Sequence, residues 1–204
     1  MSAKKRWCPA AGESITSQQC GQDREERYLC PLDCEYLFEA RRHEKPPGVD
    51  PASFPHRDVK VSEEFVRRNQ SLLVFTARTV AAAALEADAT DADVREALEA
   101  LIQTYRTRES GLIYDTRPAN PYAARICERL RESFGKLDEE IRQQTGMHTL
   151  RDADVLGILV FVQSLCIQNG NGRRRGRRFQ DFLRSYFPAA PNPAEPEESP
   201  LTEK

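Results

Sequence analysis

Val155-Leu-Gly-Ile-Leu-Val-Phe-Val-Gln-Ser-Leu-Cys-Ile167 is the longest apolar run of the chain. Its apolar residues cover nearly the whole circumference of a helix rather than one stripe, which is the pattern of a helix surrounded by protein. Gly157, Gln163 and Ser164 interrupt it. It also falls short of the roughly 20 apolar residues that a bilayer crossing needs. The run therefore predicts the buried central helix of a bundle. Thr149 with Asp152 predicts its start, and Asn169-Gly170 its end.

The flanking sequence supplies helices to surround it. Ser62 is a cap for a helix running to about Ala87, with Phe65, Leu72, Phe75 or Thr76, Thr79 and Ala83 along one stripe. Thr90 followed by Asp93 forms a capping-box pattern, in which side-chain oxygens satisfy the first free N–H groups. It opens a helix to about Arg108, with Val94, Leu98, Leu101 and Tyr105 inward and Gly111 as the stop. Asn120-Pro121 pairs an N-cap with proline at the first helical position. Ala123, Cys127, Leu130, Phe134, Leu137 and Ile141 then recur at helical spacing until Gly146. A last helix carries Phe179, Phe182, Leu183 and Tyr186 and closes at Pro188.

No segment alternates as a strand does. The expected fold is all-α: an antiparallel bundle of about five helices, preceded by a small four-cysteine, zinc-knuckle-like segment. The expected organisation is a cysteine module over 1–44, a Pro-rich connector over 45–60, the bundle over 61–187 and a disordered acidic, Pro-rich tail over 188–204.

The chain has 204 residues, 39% of them hydrophobic, and a formal net charge of −2. That balance excludes a uniformly basic nucleic-acid coat but permits a local basic patch. The first residues are basic with no apolar stretch behind them, so no secretory signal is expected. The expected location is the cytoplasm, without membrane association. In a reducing compartment clustered cysteines read as metal ligands or redox thiols rather than disulfides.

Cys8, Cys20, Cys30 and Cys34 crowd into the first 34 residues, three of them in the dipeptides Cys8-Pro9, Cys20-Gly21 and Cys30-Pro31. Four thiolates fill a tetrahedral zinc site and leave no open position for catalysis. Turns after a ligand cysteine let backbone N–H groups approach the sulfur and steady its charge. These Cys-Gly and Cys-Pro turns resemble those of small zinc-binding modules, over residues 7–37 only. One structural Zn2+ is the expected cofactor; the alternatives are free or disulfide-linked cysteines with no metal, or an iron–sulfur cluster, since four thiolates also hold one. Trp7, Tyr28, Leu32, Tyr36, Leu37 and Phe38 are the expected apolar shell that docks the module on the bundle. His43 and His56 could substitute for a ligand but read first as solvated loop histidines, and Cys127 and Cys166 read as small core residues.

Asn169-Gly-Asn-Gly-Arg-Arg-Arg-Gly-Arg-Arg178 is the second unusual segment. Guanidinium forks suit phosphate, so Arg173, Arg174, Arg175, Arg177 and Arg178 are candidate contacts to nucleic acid or another phosphate-rich partner. The competing reading pairs them with acids of this chain, Glu96, Glu99, Asp138, Glu139 and Glu140 among them. No strand precedes the turn and no Gly-Lys-Ser/Thr ends it, so it is not a nucleotide-binding P-loop.

The long connection 105–120 brings Arg106, Arg108, Tyr114 and Arg117 forward as a possible anionic-ligand loop. The plainer account has Leu112 and Ile113 plugging the bundle end while the charges stay in water. No catalytic arrangement stands out. The expected function is that of a non-enzymatic, zinc-containing helical protein that binds nucleic acid or another phosphate-rich partner. The alternatives are a protein-interaction scaffold with an acidic protein partner, or a thiol or iron–sulfur redox sensor.

Overall fold

The computed structural model describes residues 5–45, 48–147 and 150–188. Thr149, His148 and residues 189–204 of the expected tail lie outside the described residues.

The protein is mostly helical, with one small sheet. In chain order the elements are β1 (Lys5–Cys8), β2 (Glu13–Thr16), α1 (Ser17–Asp23), α2 (Glu35–His43), a single 3-10 turn (Pro51–Ser53), α3 (Glu63–Arg68), α4 (Gln70–Glu86), α5 (Asp91–Glu109), α6 (Pro121–Thr145), α7 (Asp152–Asn169) and α8 (Arg178–Tyr186).

The sheet is a departure from the all-α expectation. β1 and β2 pair antiparallel, with Arg6 opposite Ile15 and Cys8 opposite Glu13. Four-residue strands are too short to display an alternating pattern in sequence. The pairing depends instead on the turn between them, where Gly12 takes the left-handed φ of +69° and its N–H donates to the Cys8 carbonyl.

The helix count also exceeds five, for two reasons. The cysteine module contributes α1 and α2. Further on, the helix expected from Ser62 to Ala87 breaks at Asn69 (φ −102°, ψ 25°). The Asn69 side chain donates to the Phe65 carbonyl at 3.1 Å and reaches Asp154 on α7 at 3.5 Å. Such local side-chain bonds compete with continued helix. The break turns α3 so that the Phe65 ring lies over α7 at Gly157, where an added Cβ would sit 2.4 Å from it.

The remaining local signals operate as read. Ser62 accepts from Phe65 N–H, Thr90 and Asp93 form a reciprocal capping box, Asn120 caps α6 ahead of Pro121, and Gly146 closes α6 in the left-handed conformation. The start of α7 differs: its N-cap is Arg151, which makes no side-chain cap, and Arg151 instead pairs with Asp154 at 2.8 Å.

α7 is the central helix. Val155, Leu156, Ile158, Leu159, Val160 and Val162 are all buried, mainly against α5. α4 and α6 complete the core with Val80, Ala84, Ile126 and Leu130. Phe179 and Leu183 anchor α8, and both are fully buried. Burying a side chain of this size contributes on the order of 1.5–3 kcal/mol. Cys127 and Cys166 are core residues as expected, and burial pushes the Cys127 thiol up to about 11. None of the described helices is long and apolar enough to cross a membrane.

Two glycines inside helices make opposite predictions. Gly135 is exposed on α6 with open space at its Cβ position. Gly135→Ala should therefore raise stability by about 0.5–1 kcal/mol, the usual helix-interior difference. Gly157→Ala should give no such gain, because its methyl displaces Phe65. Thermal melts of the two variants side by side test the pair.

Candidate functional site: the cysteine module and the arginine turn

Each cysteine of the module comes from a different local element. Cys8 ends β1, Cys20 lies within α1, Cys30 follows the loop after α1, and Cys34 is the N-cap of α2. α1 itself starts at a capping box that sequence reading missed: Thr16 accepts from Gln19 N–H at 3.2 Å, and the Gln19 side chain accepts from Thr16 N–H at 2.9 Å. All four cysteines line one enclosed cavity of about 10 Å3, closed by Arg6, Ile15, Tyr28 and Leu37 among others. The Arg6 guanidinium stacks 3.8 Å above the Tyr36 ring at its edge. A volume of this order holds about one water-sized occupant. Among the described residues, no three or more His, Cys, Asp or Glu side chains are drawn close enough to form a ready-made metal site.

Burial pushes the Cys30 thiol up to about 11, while the backbone of Glu25 beside it works in the opposite direction. A cation bound here would have to displace that proton.

The expected apolar docking of the module does not occur. Leu37 and Ile15 are buried inside it, but Trp7 and Phe38 are each 62% exposed. A polar clamp does the docking, and its centre is Glu25, a fully buried carboxylate in the left-handed conformation at φ +56°. Glu25 accepts from the Arg41 guanidinium at 2.8 Å, the Asn171 amide at 2.8 Å and the Arg177 backbone N–H at 2.9 Å. Its own carbonyl accepts from Arg175 N–H at 2.7 Å. Arg41 continues to Asp181 on α8 at 3.0 Å.

The arginine turn therefore divides. Arg173 points into the module, where it donates to the Arg24 carbonyl at 2.7 Å and stands 4.0 Å from Glu44. Arg177 is buried and donates to Gln180 at 3.2 Å. Arg178 is half-buried. Arg174 and Arg175 face solvent and make no ion pair among the described residues. The acids that meet the turn are Glu25 and Glu44, not those expected: Glu99 binds His56, Gln103 and Gln163, and Glu96 is near Asn120. Gly176 is required by close approach, since a Cβ there would lie 2.3 Å from the Asn171 side-chain oxygen.

Asp91, the first residue of α5, caps α8 from outside. Its carboxylate accepts from Phe179 N–H at 2.9 Å and Gln180 N–H at 3.3 Å, while its own N–H donates to the Gly176 carbonyl at 2.8 Å. The cap satisfies donors that α8 cannot satisfy itself. Burial raises its pKa to about 7 against the two amides that favour the charged form, and neighbouring Glu25 adds to the rise.

The loop residues Arg106, Arg108, Tyr114 and Arg117 are not gathered into one site. Arg106 holds Asp58 through two bonds of 2.7 and 2.8 Å, keeping the Asp58 carboxyl at about 2, and donates to His56 Nδ1 at 3.1 Å. A guanidinium can only donate, so Nδ1 accepts, and Nε2 carries the hydrogen offered to Glu99 at 2.8 Å. His56 is thus an ordered part of a polar network, not a solvated histidine. Arg108 pairs with Asp115 at 3.2 Å, and Tyr114 and Arg117 are exposed. Leu112 and Ile113 do not plug the bundle; Ile113 is 96% exposed. Thr116 N–H bonds the Thr104 hydroxyl at 3.0 Å and so lays the loop along the outside of α5.

Comparison with protein families, with curated proteins and with solved structures finds no match to this chain.

The folded pKa of Asp91 lies above its unfolded value, so its protonated form adds stability at low pH, and this is lost as the pH rises from about 4 to about 7. The stability difference between wild type and Asp91→Asn should accordingly shift against the wild type between pH 5 and pH 8. Urea melts across that range measure it; a shift in the other direction contradicts the assignment.

Proposed function

We propose that this protein is a zinc-stapled helical binding protein, in which a structural zinc held by Cys8, Cys20, Cys30 and Cys34 maintains an arginine-bearing surface for a phosphate-rich partner such as nucleic acid. The observation that carries the reading is that four thiols from four separate elements line one enclosed cavity of about 10 Å3. That space suits a single ion better than a multi-iron cluster, and four thiolates match the soft tetrahedral set that structural zinc takes. The segment has little apolar core of its own: Ile15 and Leu37 are its main buried apolar side chains besides Cys20 and Cys30. Metal binding would then supply much of its folding free energy.

The partner contacts fall to the outward residues of the turn. Arg174 and Arg175 are consecutive exposed residues, and Arg178 is half-buried. Arg173 and Arg177 serve the fold, through Arg24, Glu44 and Gln180. Contacts of this kind go to backbone phosphates and are salt-dependent rather than sequence-specific. A second reading, a protein-docking module, draws on exposed Trp7 and Phe38. Capture of an acidic protein that survives nuclease but is lost in Trp7→Ala would favour it.

Elemental analysis of the untagged, anaerobically purified protein should find about one zinc per chain, and its spectrum should show no visible absorbance. Iron with sulfide would replace the zinc reading with the redox one. Replacing Cys20 and Cys30 by Ser should remove the metal and lower the melting temperature. On duplex DNA, the double change Arg174→Ala and Arg175→Ala should weaken binding and reduce the slope of log K against log salt by about 1 per arginine. An unchanged slope would sink the phosphate reading and leave the zinc site standing.

A further inference from the structure

We propose that the groove between α4 and α6 is the docking site of this chain's own acidic segment, residues 189–204, which binds there as an intramolecular ligand. The groove shares no lining residue with the cysteine module or the arginine turn.

Two open cavities make up the groove. The larger, of about 630 Å3, lies between Val74, Phe75 and Arg78 on α4 and Arg129 and Ser133 on α6. The second, of about 380 Å3, lies between Leu85 on α4, Arg184 on α8, and Phe187 and Pro188 after it. Arg78 and Ala82 line both, so the two are continuous. Small side chains, Ala81 and Ala82, leave room there for a chain to approach α4 closely. Arg78 and Arg184 are exposed and make no hydrogen bond or ion pair among the described residues. Arg129 comes only to 3.8 Å from Glu86, with both side chains open to water, and an exposed pair at that separation holds a guanidinium weakly. Three guanidinium groups from three helices thus border one largely apolar trough. Such a surface complements a ligand that carries carboxylates on a chain of small apolar residues.

The chain delivers that chemistry to the edge of the groove. Pro188 lines the second cavity and is the residue immediately before the segment. Ala189-Ala-Pro-Asn-Pro-Ala-Glu-Pro-Glu-Glu198 follows, with Glu203 further on and Lys204 as the single cation. Pro191, Pro193 and Pro196 have no N–H to donate, so contacts through side chains suit this segment better than a hydrogen-bonded ladder. The reach is sufficient. Glu195 is seven positions beyond Pro188, about 22 Å of chain at the polyproline rise of about 3.1 Å per residue. Arg78 is seven positions before Leu85 on α4, about 10 Å along the helix. Glu195, Glu197 and Glu198 therefore reach Arg78, and Arg129 on the opposite wall, with chain to spare. Tethering gives the segment an effective concentration on the order of mM, so ion pairs that are weak one by one suffice.

Nuclear magnetic resonance of the full-length protein tests this through the heteronuclear NOE of the Glu197 and Glu198 amides. At low salt their values should approach those of helix amides. Salt at about 0.5 M screens exposed charges and should lower them. Arg78→Glu together with Arg184→Glu should lower them without added salt; both arginines are exposed and unpaired, so the fold is kept. Reversing the segment instead, with Glu195→Lys, Glu197→Lys and Glu198→Lys, should shift the Ala82 and Ser133 amides of the groove. Combining the two reversals should restore the NOE at positions 197 and 198. Values that neither salt nor the arginine reversal changes overturn the proposal. Release by Arg174→Ala with Arg175→Ala instead overturns it, because the segment then lies on the arginine turn. Values that rise with protein concentration overturn it too, because the groove is then filled by a second copy of the chain.

Discussion

A carboxylate with no access to water must have its charge answered by protein, and Glu25 is such a group. It is answered by one guanidinium, one side-chain amide and one backbone N–H, drawn from α2, from the segment after α7 and from the turn ahead of α8. The N-terminal module, the arginine turn and the last helix are therefore seated by one residue. Removing one partner from a buried charged set of this kind costs on the order of 3–5 kcal/mol, because the remaining charge is left stranded. That is comparable with much of the net stability of a domain, on the order of 5–15 kcal/mol.

The bundle obeys a different constraint. α7 is buried on nearly every side, so α4, α5 and α8 must be arranged around it, with α6 packed on α4 and α5. The apolar core is non-directional and fixes the helices only approximately. Directional groups complete the arrangement: Asp91 caps α8 from the start of α5, Asn69 breaks the helix before α4 so that Phe65 lies over Gly157, and Gln180 reaches the Ala89 carbonyl at 2.7 Å. Both ends of the arginine turn meet such groups, Asn171 through Glu25 and Gly176 through Asp91 N–H. The turn is a built element of the fold before it is a surface.

Two kinds of residue in the candidate site differ in how far sequence discloses them. Cys8, Cys20, Cys30 and Cys34 are conspicuous by type and crowding, and they do line one cavity. The five arginines are equally conspicuous, yet the structure assigns them unlike roles: Arg173 and Arg177 inward, Arg174 and Arg175 outward. Charge pattern alone does not separate a guanidinium that pairs at home from one that faces solvent. Glu25 lay among ordinary charged residues, Asp23-Arg-Glu-Glu-Arg27, with nothing in composition to mark it. Its left-handed φ and its burial are properties of the folded chain only.

The sequence by itself determined what depends on near neighbours: the caps at Ser62, Thr90 and Asn120, the stop at Gly146, the helical periodicity of α5 and α6, and the all-round apolarity of α7. These act through bonds three or four residues apart, or through a period that a short window reveals. Tertiary structure alone decided the rest. The reach of Asn69 to Asp154, the pairing of Arg106 with Asp58 and the seating of the turn on Glu25 join groups whose partners lie across the fold, 85 residues apart for Asn69 and Asp154, 48 for Arg106 and Asp58 and 152 for Arg177 and Glu25. Such pairs become neighbours only after the apolar core has brought the helices together, and no local pattern records them.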